Sequence, residues 1–292
     1  MALVPLTGLL ADALAGGYAV GYFEAWDGYS LEAVLEAAEA ERAPVILGFG
    51  CLLVDQGWLD AGGIETFACL GRGAAERSSV PVSLLLNEAH TVEHALRGVE
   101  AGFNAVMLCS SEVETVSCLV QEAHGRGVAV EGELGTLPDA VGDEIDASRA
   151  SLTDPERAAA FVEATGVDCL AVSFGNVHVL EGRTAPVDLE RLDAVHRRVG
   201  VPLVVHGGTS FPAGAVGDAI ACGVAKFNVG TALKRAFLGG LSEAVASTAA
   251  GASPHDLLGS HGPDDVLGSG KKRMIEVVRD RMRLYGSSGR AG

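Results

Sequence analysis

The chain has 292 residues, and its 38 acidic residues exceed its 21 basic residues, giving a formal net charge of −17. This charge disfavours a protein that binds nucleic acid or anionic membranes, because an acidic surface repels phosphate groups. The hydrophobic fraction of 48% permits a large core, yet no continuous apolar run reaches the ~18 residues of a membrane span. Scattered cysteines and a start without secretory-signal features predict a cytoplasmic protein with reduced thiols.

Short apolar segments recur along the chain, and they are continuous rather than alternating, as in strands buried on both faces of a parallel sheet. We predict strands at residues 19–23, 44–49, 80–86, 105–109, 128–134, 169–174, 202–206 and 226–230. Helices are predicted between most of them, with starts at Ser30, Thr91 and Thr153. This alternation predicts an α/β fold, a single-domain (β/α)₈ TIM barrel over residues 1–292, in preference to an open doubly wound sheet.

The C-terminal part of the chain has a different composition. Residues 251–270 are rich in glycine, serine and aspartate, and they predict a loop. Residues 271–285 read KKRMIEVVRDRMRLY and predict a basic helix in an otherwise acidic protein. We therefore expect a C-terminal helical extension on the barrel, within the same domain.

Polar side chains fall at the carboxyl ends of the predicted strands, where TIM barrels place their chemistry. These residues are Glu24, Asn87, Glu88, Glu133, His178, His206 and Asn228. Imidazole and carboxylate groups that converge from separate strands suit zinc or another divalent ion. Either histidine alone is better explained as a hydrogen-bonded structural residue, and only the combination with Glu88 and Glu133 at one barrel mouth favours a metal site. Cys109 also ends a predicted strand, which leaves a catalytic cysteine as an alternative, although no neighbouring base is evident.

The last two strands are followed by turns that suit an anion. Glycines allow a ligand to approach the backbone closely, and free N–H groups with hydroxyls bind phosphate. The loops after strands seven and eight are a frequent phosphate site in TIM barrels. We therefore predict a small phosphorylated substrate bound by Gly207, Gly208, Thr209, Asn228, Gly230 and Thr231.

Several segments of the chain resemble class II ketose-bisphosphate aldolases in order and spacing. They are GGYAVGYFEAWD, VEGELGTL, TDPERAAAFVEATGVDCLAVSFGNVH, PLVVHGGTSFP, GVAKFNVGTALKRAF and the tail RMRLYGSSGRA. The resemblance implies a metal-dependent barrel that cleaves or joins a carbon–carbon bond in a phosphorylated ketose. In such chemistry the metal polarises a carbonyl and stabilises an enediolate. We also expect a homodimer or homotetramer.

The resemblance assigns roles to residues that match the family's motifs. His178 and His206 match the metal-binding histidines, and Glu133 matches a carboxylate that can approach the metal. The matches for substrate and phosphate contacts are Gly207, Thr209, Asn228 and Thr231.

Other positions depart from the family's pattern. Where the family reads roughly HLDHG, with an acid–base aspartate and a metal-binding histidine, this chain has Asn87 and Glu88. An amide cannot exchange a proton near neutral pH, so the usual step should lose about 10²–10⁴-fold in rate. Glu88 could serve as a fourth metal ligand. If the protein is an enzyme, another residue must therefore take over the proton transfer. We predict that this residue is Glu24, which replaces a family asparagine, or an acid of the 139–144 loop such as Glu144.

Three functions remain open at this point. The first is a metal-dependent aldolase-type lyase whose substrate or mechanism differs from fructose-bisphosphate cleavage. The second is a metal-bound barrel that catalyses another enolate reaction, such as an isomerisation or a decarboxylation. The third is a non-catalytic protein that binds sugar phosphates.

Overall fold

Parallel strands form a closed barrel in this computed structural model, which describes residues 3–141, 144–146, 151–177 and 184–292. The barrel strands are β1 (Val20–Glu24), β2 (Val45–Gly50), β3 (Val82–Ala89), β4 (Ala105–Leu108), β5 (Ala129–Leu134), β8 (Cys169–Val172), β9 (Leu203–Val205) and β10 (Val224–Val229). They are hydrogen-bonded in this sequence order, and β10 closes on β1. Between β5 and β8, β6 (Asp139–Val141) and β7 (Glu144–Asp146) form a separate antiparallel pair.

Helices alternate with the barrel strands, which confirms the predicted TIM barrel. They are α1 (Leu6–Gly16), α2 (Gly28–Glu41), α3 (Gln56–Trp58), α4 (Ile64–Ala75), α5 (Val92–Ala101), α6 (Val113–His124), α7 (Pro155–Thr165), α8 (Leu189–His196), α9 (Val216–Ala221), α10 (Thr231–Ser247), α11 (Pro254–Leu257) and α12 (Val266–Leu284). A π-helical turn, Leu59–Gly63, joins α3 to α4, and a 3₁₀ turn, Ala213–Ala215, precedes α9. Among the described residues, no helix is long and apolar enough to span a membrane.

The predicted strands coincide with the barrel strands, because both faces of each strand are covered. Side chains that point inward pack against one another inside the barrel, and the others pack beneath the helices. In β2, for example, every residue from Val45 to Phe49 is buried. A strand buried in this way requires a continuous apolar run, which is the pattern that the sequence contains.

Two predicted helix starts are wrong by one or more residues. The N-cap of α2 is Asp27, whose carboxylate accepts the backbone N–H of Ser30 at 2.7 Å. Ser30 is the third residue of the helix and completes the capping box from inside. The N-cap of α7 is Asp154, while the Thr153 hydroxyl donates to the backbone of Leu134. In both cases aspartate supplies the capping oxygen that the prediction assigned to a neighbouring hydroxyl. The start at Thr91 is confirmed.

The C-terminal helix is longer than predicted and begins at Val266 rather than at residue 271. Asp265 caps it by accepting the backbone N–H of Leu267 at 3.0 Å. Part of the predicted loop is therefore helical, including the short α11. Helix α12 packs against α2 and α10, and it buries Met274, Val278 and Met282. The predicted C-terminal helical extension is present, and it covers one side of the barrel.

Glu41, the last residue of α2, joins this extension to the barrel. Its carboxylate accepts hydrogen bonds from Arg279 Nε at 2.8 Å, Arg283 at 2.6 Å and Ser288 Oγ at 2.9 Å. Burial raises the pKa of this carboxyl, but the hydrogen bonds from Arg283, Arg279 and Ser288 outweigh it and lower the pKa to about 2. The side chain is only 9% exposed, so solvent screens these interactions weakly.

We predict that Glu41→Gln lowers the free energy of unfolding at pH 7 by about 1–3 kcal/mol, as expected for lost hydrogen bonds to charged groups. A carboxyl whose pKa is lowered on folding stabilises the folded state above its usual pKa of 4.5. That contribution is lost as the pH falls towards about 2. Denaturant unfolding at pH 7, 4 and 3 should therefore show a wild-type advantage that shrinks with acidification.

Glu76→Gln is the matched control, because the Glu76 carboxylate lies 3.9 Å from Arg72 and its side chain is 62% exposed. This variant should lose less than about 0.5 kcal/mol, as is usual for a surface ion pair. Equal losses in the two variants, or an advantage that is independent of pH, would contradict the anchoring role of Glu41.

Candidate active site

A cavity of about 530 Å³ opens at the carboxyl ends of the barrel strands. Its walls come from the ends of β1, β2, β3, β9 and β10 and from the first turns of α10. Most of the residues predicted to carry chemistry line this one cavity: Glu24, Asn87, Glu88, His206, Gly207, Thr209, Asn228, Gly230 and Thr231. The barrel thus brings together residues that are more than 200 positions apart in the sequence.

His206 is held from below by a buried ion pair. Its Nε2 lies 2.9 Å from Glu131 Oε1, and Lys226 Nζ lies 2.6 Å from Glu131 Oε2. The side chains of Glu131 and Lys226 are fully buried, and that of His206 is 1% exposed. One carboxylate therefore fixes the imidazole through one oxygen and an ammonium through the other.

Burial and charge act in opposite directions on these groups. Burial raises the pKa of Glu131, but Lys226 and His206 outweigh it and lower the pKa to about 2. Burial lowers the pKa of His206, whereas its contacts with Glu131 and Glu88 raise the pKa to about 9. The Glu131 carboxylate is therefore charged at neutral pH and restrains the orientation of the ring.

Glu88 approaches the other side of the same ring. Its Oε1 lies 3.4 Å from His206 Nδ1, and its side chain is 14% exposed. The backbone of Glu88 has φ = 56°, and the pairing of β3 with β4 is irregular between Leu86 and Ala89. A left-handed backbone at a residue other than glycine is uncommon and is often found at functional sites. This distortion accompanies the placement of the Glu88 carboxylate beside His206.

Glu88 and His206 fit the chemistry of a divalent metal ion. A carboxylate that holds one ring nitrogen is a frequent support for a metal-binding histidine, because it fixes the orientation in which the other nitrogen faces the metal. Here Glu131 holds Nε2, and Nδ1 faces Glu88. Among the described residues, no three His, Cys, Asp or Glu side chains are grouped closely enough to hold a metal. Glu133, which is half-buried, therefore does not complete such a group with them. His178, the other predicted ligand, lies outside the described residues.

Glu24 is engaged in an ion pair. Its Oε1 lies 2.6 Å from Lys234 Nζ, which projects from the first turn of α10. Burial raises the pKa of Glu24, and Lys234 opposes this rise without cancelling it. The Glu24 carboxylate can therefore still titrate as an acid–base, but Lys234 would have to release it. Glu144, the other predicted acid–base, lies in β7, and its side chain is outside the described part of the structure.

Two of the predicted phosphate-binding glycines, Gly207 and Gly208, are required by the packing of the chain. A Cβ at Gly208 would lie 2.6 Å from the carbonyl oxygen of Asn228, and the Gly208 N–H donates to that oxygen at 2.9 Å. Gly207 has φ = 75°, a left-handed conformation, and a side chain there would overlap the backbone of Val177. Gly207 and Gly208 therefore favour glycine whether or not phosphate binds. A Cβ at Gly230 would meet only the end of the flexible Glu24 side chain, so packing alone does not require glycine there.

Asn228 gives a more direct indication of a ligand. The side chain of Asn228 is 8% exposed, and neither atom of its amide has a hydrogen-bond partner among the described residues. A buried amide without partners is costly, and a ligand can supply the missing hydrogen bonds. The Thr209 hydroxyl accepts the backbone N–H of Ala232 at 3.2 Å, which joins the turn after β9 to the start of α10.

The structure argues against a catalytic role for Cys109. Burial raises the pKa of its thiol, and the negative charges of Glu88 and Glu133 raise it further. The thiol is therefore neutral near pH 7, whereas a nucleophilic cysteine needs a thiolate.

Some residues of this site were not predicted from the sequence. Glu131 and Lys226 lie in the middle of buried strands, where a charged residue is itself a signal of a buried ion pair. Tyr22 resembled an ordinary core residue of β1. Lys234 and Arg235 follow the strand-end motif and line the cavity from α10.

Comparisons with known proteins agree with this geometry. The family Fructose-bisphosphate aldolase class-II matches residues 4–290 of the chain. The fructose-bisphosphate aldolase of Geobacillus stearothermophilus is 33% identical over 304 residues, which cover 100% of this chain and 99% of that protein. The "probable fructose-bisphosphate aldolase" of Bacillus subtilis (strain 168) is 33% identical over 300 residues, covering 100% of both chains.

A solved structure is similar over nearly the same length. The X-ray structure of the YdjI aldolase from Escherichia coli K12 has a TM-score of 0.79 and 27% sequence identity, and covers 99% of this chain and 100% of that chain. The family match, the relatives and the closed barrel with its polar cavity lead to one conclusion. This chain belongs to the class II fructose-bisphosphate aldolase family.

Proposed function

We propose that the protein is a metal-dependent aldolase-type lyase that acts on a phosphorylated keto compound other than fructose bisphosphate. The proposal rests on one observation above all: Asn87 and Glu88 line the cavity beside His206, which Glu131 supports. The resemblance leads us to expect an acid–base aspartate and a metal-binding histidine at those two positions. Membership of the family supports the lyase reaction. The changed residues support a different substrate or a different route for the proton.

The residues proposed to hold the metal are His206, Glu88 and His178, and the proposed metal is zinc. Glu133 is proposed as a carboxylate that approaches the ion only once the ion is bound, since it is not grouped with His206 and Glu88 in this structure. Two imidazoles with carboxylates form a donor set that zinc accepts. When bound, the ion would polarise the carbonyl of the substrate and stabilise the negative charge that develops on its oxygen. The Glu131 carboxylate is not a proposed ligand. It forms a hydrogen bond with Nε2 of His206 and so fixes the direction in which Nδ1 points.

The phosphate group of the substrate is proposed to lie between the turns after β9 and β10. Asn228 has an amide that needs partners, and Thr209 and Thr231 bring hydroxyl groups to the same wall. Lys234 and Arg235 add positive charge to a cavity that otherwise contains Glu24 and Glu88. A phosphate would therefore meet both hydrogen-bond donors and cations at this side of the cavity.

The Asn87 amide can orient a substrate oxygen, but it cannot accept or release a proton at neutral pH. Fructose-bisphosphate cleavage by the aldolase route requires a proton to leave the substrate hydroxyl at the bond that breaks. Glu24 and Glu144 remain the proposed acceptors for this proton. The same change keeps a second function open, another enolate reaction such as an isomerisation or a decarboxylation, since that reaction does not require the aldolase acid–base at position 87.

Both proposed functions form an enolate next to a carbonyl group. This step can be measured with a probe compound before the natural substrate is known. Dihydroxyacetone phosphate is the probe, and the zinc-loaded protein should exchange one of its hydrogens next to the carbonyl for deuterium in D₂O. In this exchange a C–H bond breaks, its electrons move towards the carbonyl oxygen, and a carboxylate takes the proton. The carboxylate then exchanges its proton with D₂O, and the enolate carbon takes back a deuteron as the carbonyl re-forms. Exchange followed by NMR would support an enolate enzyme, and its absence would leave only a sugar-phosphate-binding protein.

We also propose a cytoplasmic homodimer or homotetramer.

We predict that His206→Ala abolishes uptake of zinc in equilibrium dialysis and therefore abolishes this exchange, because the oriented imidazole is lost. His255→Ala is the control, since His255 is exposed on α11, and it should bind zinc as the wild type does. Circular dichroism should show that both variants remain folded. Stoichiometric zinc in folded His206→Ala would overturn the metal assignment. If His206→Ala does not fold, Glu88→Gln serves instead, with an expected loss of about 10–100-fold in zinc affinity.

For the phosphate site, we predict that inorganic phosphate soaked into crystals of the protein binds between residues 207–209 and 228–231. Thr231→Val should weaken phosphate binding in calorimetry by about tenfold, the cost of one hydrogen bond to a charged group. Thr115→Val is the control, because the Thr115 hydroxyl donates to Glu112 on the exposed start of α6, away from the cavity. An anion found only elsewhere would count decisively against this site.

The change of substrate leads to a further prediction. Wild-type protein should cleave fructose bisphosphate about 10²–10⁴-fold more slowly than the double variant Asn87→Asp, Glu88→His, because the variant regains a proton-exchanging carboxyl. The single variant Glu88→His is the control that changes the ligand set alone, and it should remain slow. Rapid cleavage by the wild type would show that the aspartate is dispensable and that the substrate is unchanged.

A further inference from the structure

Tyr22 contributes a hydroxyl to the cavity that the described residues leave without a hydrogen-bond partner. The residue lies in β1 and its side chain points into the barrel, where it is 3% exposed. It lines the cavity together with Asn87, Glu88 and His206. Its hydroxyl oxygen is buried and makes no hydrogen bond within the described structure.

Two glycines of β2 provide the space for this side chain. A Cβ at Gly48 would overlap the ring of Tyr22. A Cβ at Gly50 would lie 3.8 Å from the Tyr22 hydroxyl and 3.2 Å from Glu24 Oε1. The first glycine thus admits the ring, and the second leaves room for another atom between the phenol and the carboxylate. That room belongs to the same cavity, since Gly50 also lines it.

The network behind His206 also supports the ring of Tyr22. Lys226 Nζ lies 5.0 Å from the centroid of the ring, within the range of a cation–π interaction. Burial raises the pKa of Tyr22 well above 10, and the charges of Glu24 and Glu88 raise it further. The phenol therefore keeps its proton throughout the neutral range, and its hydroxyl is a hydrogen-bond donor.

A purely structural role does not explain this hydroxyl. Phenylalanine would fill the same space and keep the contact with Lys226, whereas a buried hydroxyl without a partner costs about 1–3 kcal/mol. A substrate oxygen at the floor of the cavity would supply the missing partner. Glu24 is less suited to donate to such an oxygen, because it is held by Lys234 at 2.6 Å.

We propose that Tyr22 is a catalytic residue of this enzyme, whose hydroxyl donates a hydrogen bond to the carbonyl oxygen of the keto substrate as that oxygen gains negative charge. The inference rests on the proposed function and adds a residue that the family resemblance does not assign. Tyr22 keeps its proton throughout. Its hydroxyl is a donor held in a fixed position, and the hydrogen bond that it makes strengthens as negative charge develops on the substrate oxygen.

The test measures deuterium exchange into dihydroxyacetone phosphate by the zinc-loaded variant Tyr22→Phe. Removing one donor of this kind should lower kcat by about 10²–10³-fold, with KM changed less than about threefold, because the bond strengthens mainly in the transition state. Tyr18→Phe is the matched control, since Tyr18 precedes the other end of the same strand and is also buried. Its exchange rate should equal that of the wild type.

Two further readouts separate catalysis from structure. The melting temperature of Tyr22→Phe should not fall, because the lost hydroxyl has no partner within the described residues. Calorimetry should give a similar affinity of both proteins for dihydroxyacetone phosphate. Wild-type exchange in folded Tyr22→Phe would overturn the inference and leave the proposed function intact. If the wild-type protein itself does not exchange, the proposed function fails and the role of Tyr22 in it fails as well.

Discussion

The buried carboxylate of Glu131 is the interaction on which the candidate site depends. It lies inside the barrel, where an isolated charge would cost several kcal/mol. Lys226 neutralises it at 2.6 Å, and His206 occupies its second oxygen at 2.9 Å. Removing one member of such a buried set typically costs about 3–5 kcal/mol, because the others remain charged and unpaired. The barrel can therefore hold this imidazole in one orientation at the base of an open cavity.

The cavity above this network differs from the core below it. Inside the barrel, the charges of Glu131 and Lys226 are paired. At the mouth, Tyr22, Asn87 and Asn228 each have a buried polar atom without a hydrogen-bond partner among the described residues. Polar groups in this state indicate a surface prepared for a ligand. The paired charges inside the barrel thus fix the position of the cavity, and a substrate bound there would supply the hydrogen bonds that Tyr22, Asn87 and Asn228 lack.

The fold could be predicted from the sequence, because strands covered on both faces leave continuous apolar runs such as that of β2. Helix starts were less predictable, since aspartate, serine and threonine all cap helices and stand close together around the starts of α2 and α7. Many cavity residues were predicted because parallel strands in a barrel end at the same face. Contacts between side chains within the barrel were not predicted, because they depend on which residues of different strands face inward at the same height along the barrel axis. The Glu131–Lys226 pair joins β5 to β10, and Lys234 reaches Glu24 from a helix.

The central claim is that Glu131 orients His206 so that Nδ1 faces a metal at the mouth of the barrel. The most direct test is an anomalous-difference map from a crystal grown with zinc and recorded on both sides of the zinc absorption edge. The account predicts one strong peak bonded to His206 Nδ1, with Nε2 still hydrogen-bonded to Glu131. A zinc peak absent from this position, or bonded to Nε2 of a rotated ring, would contradict the account.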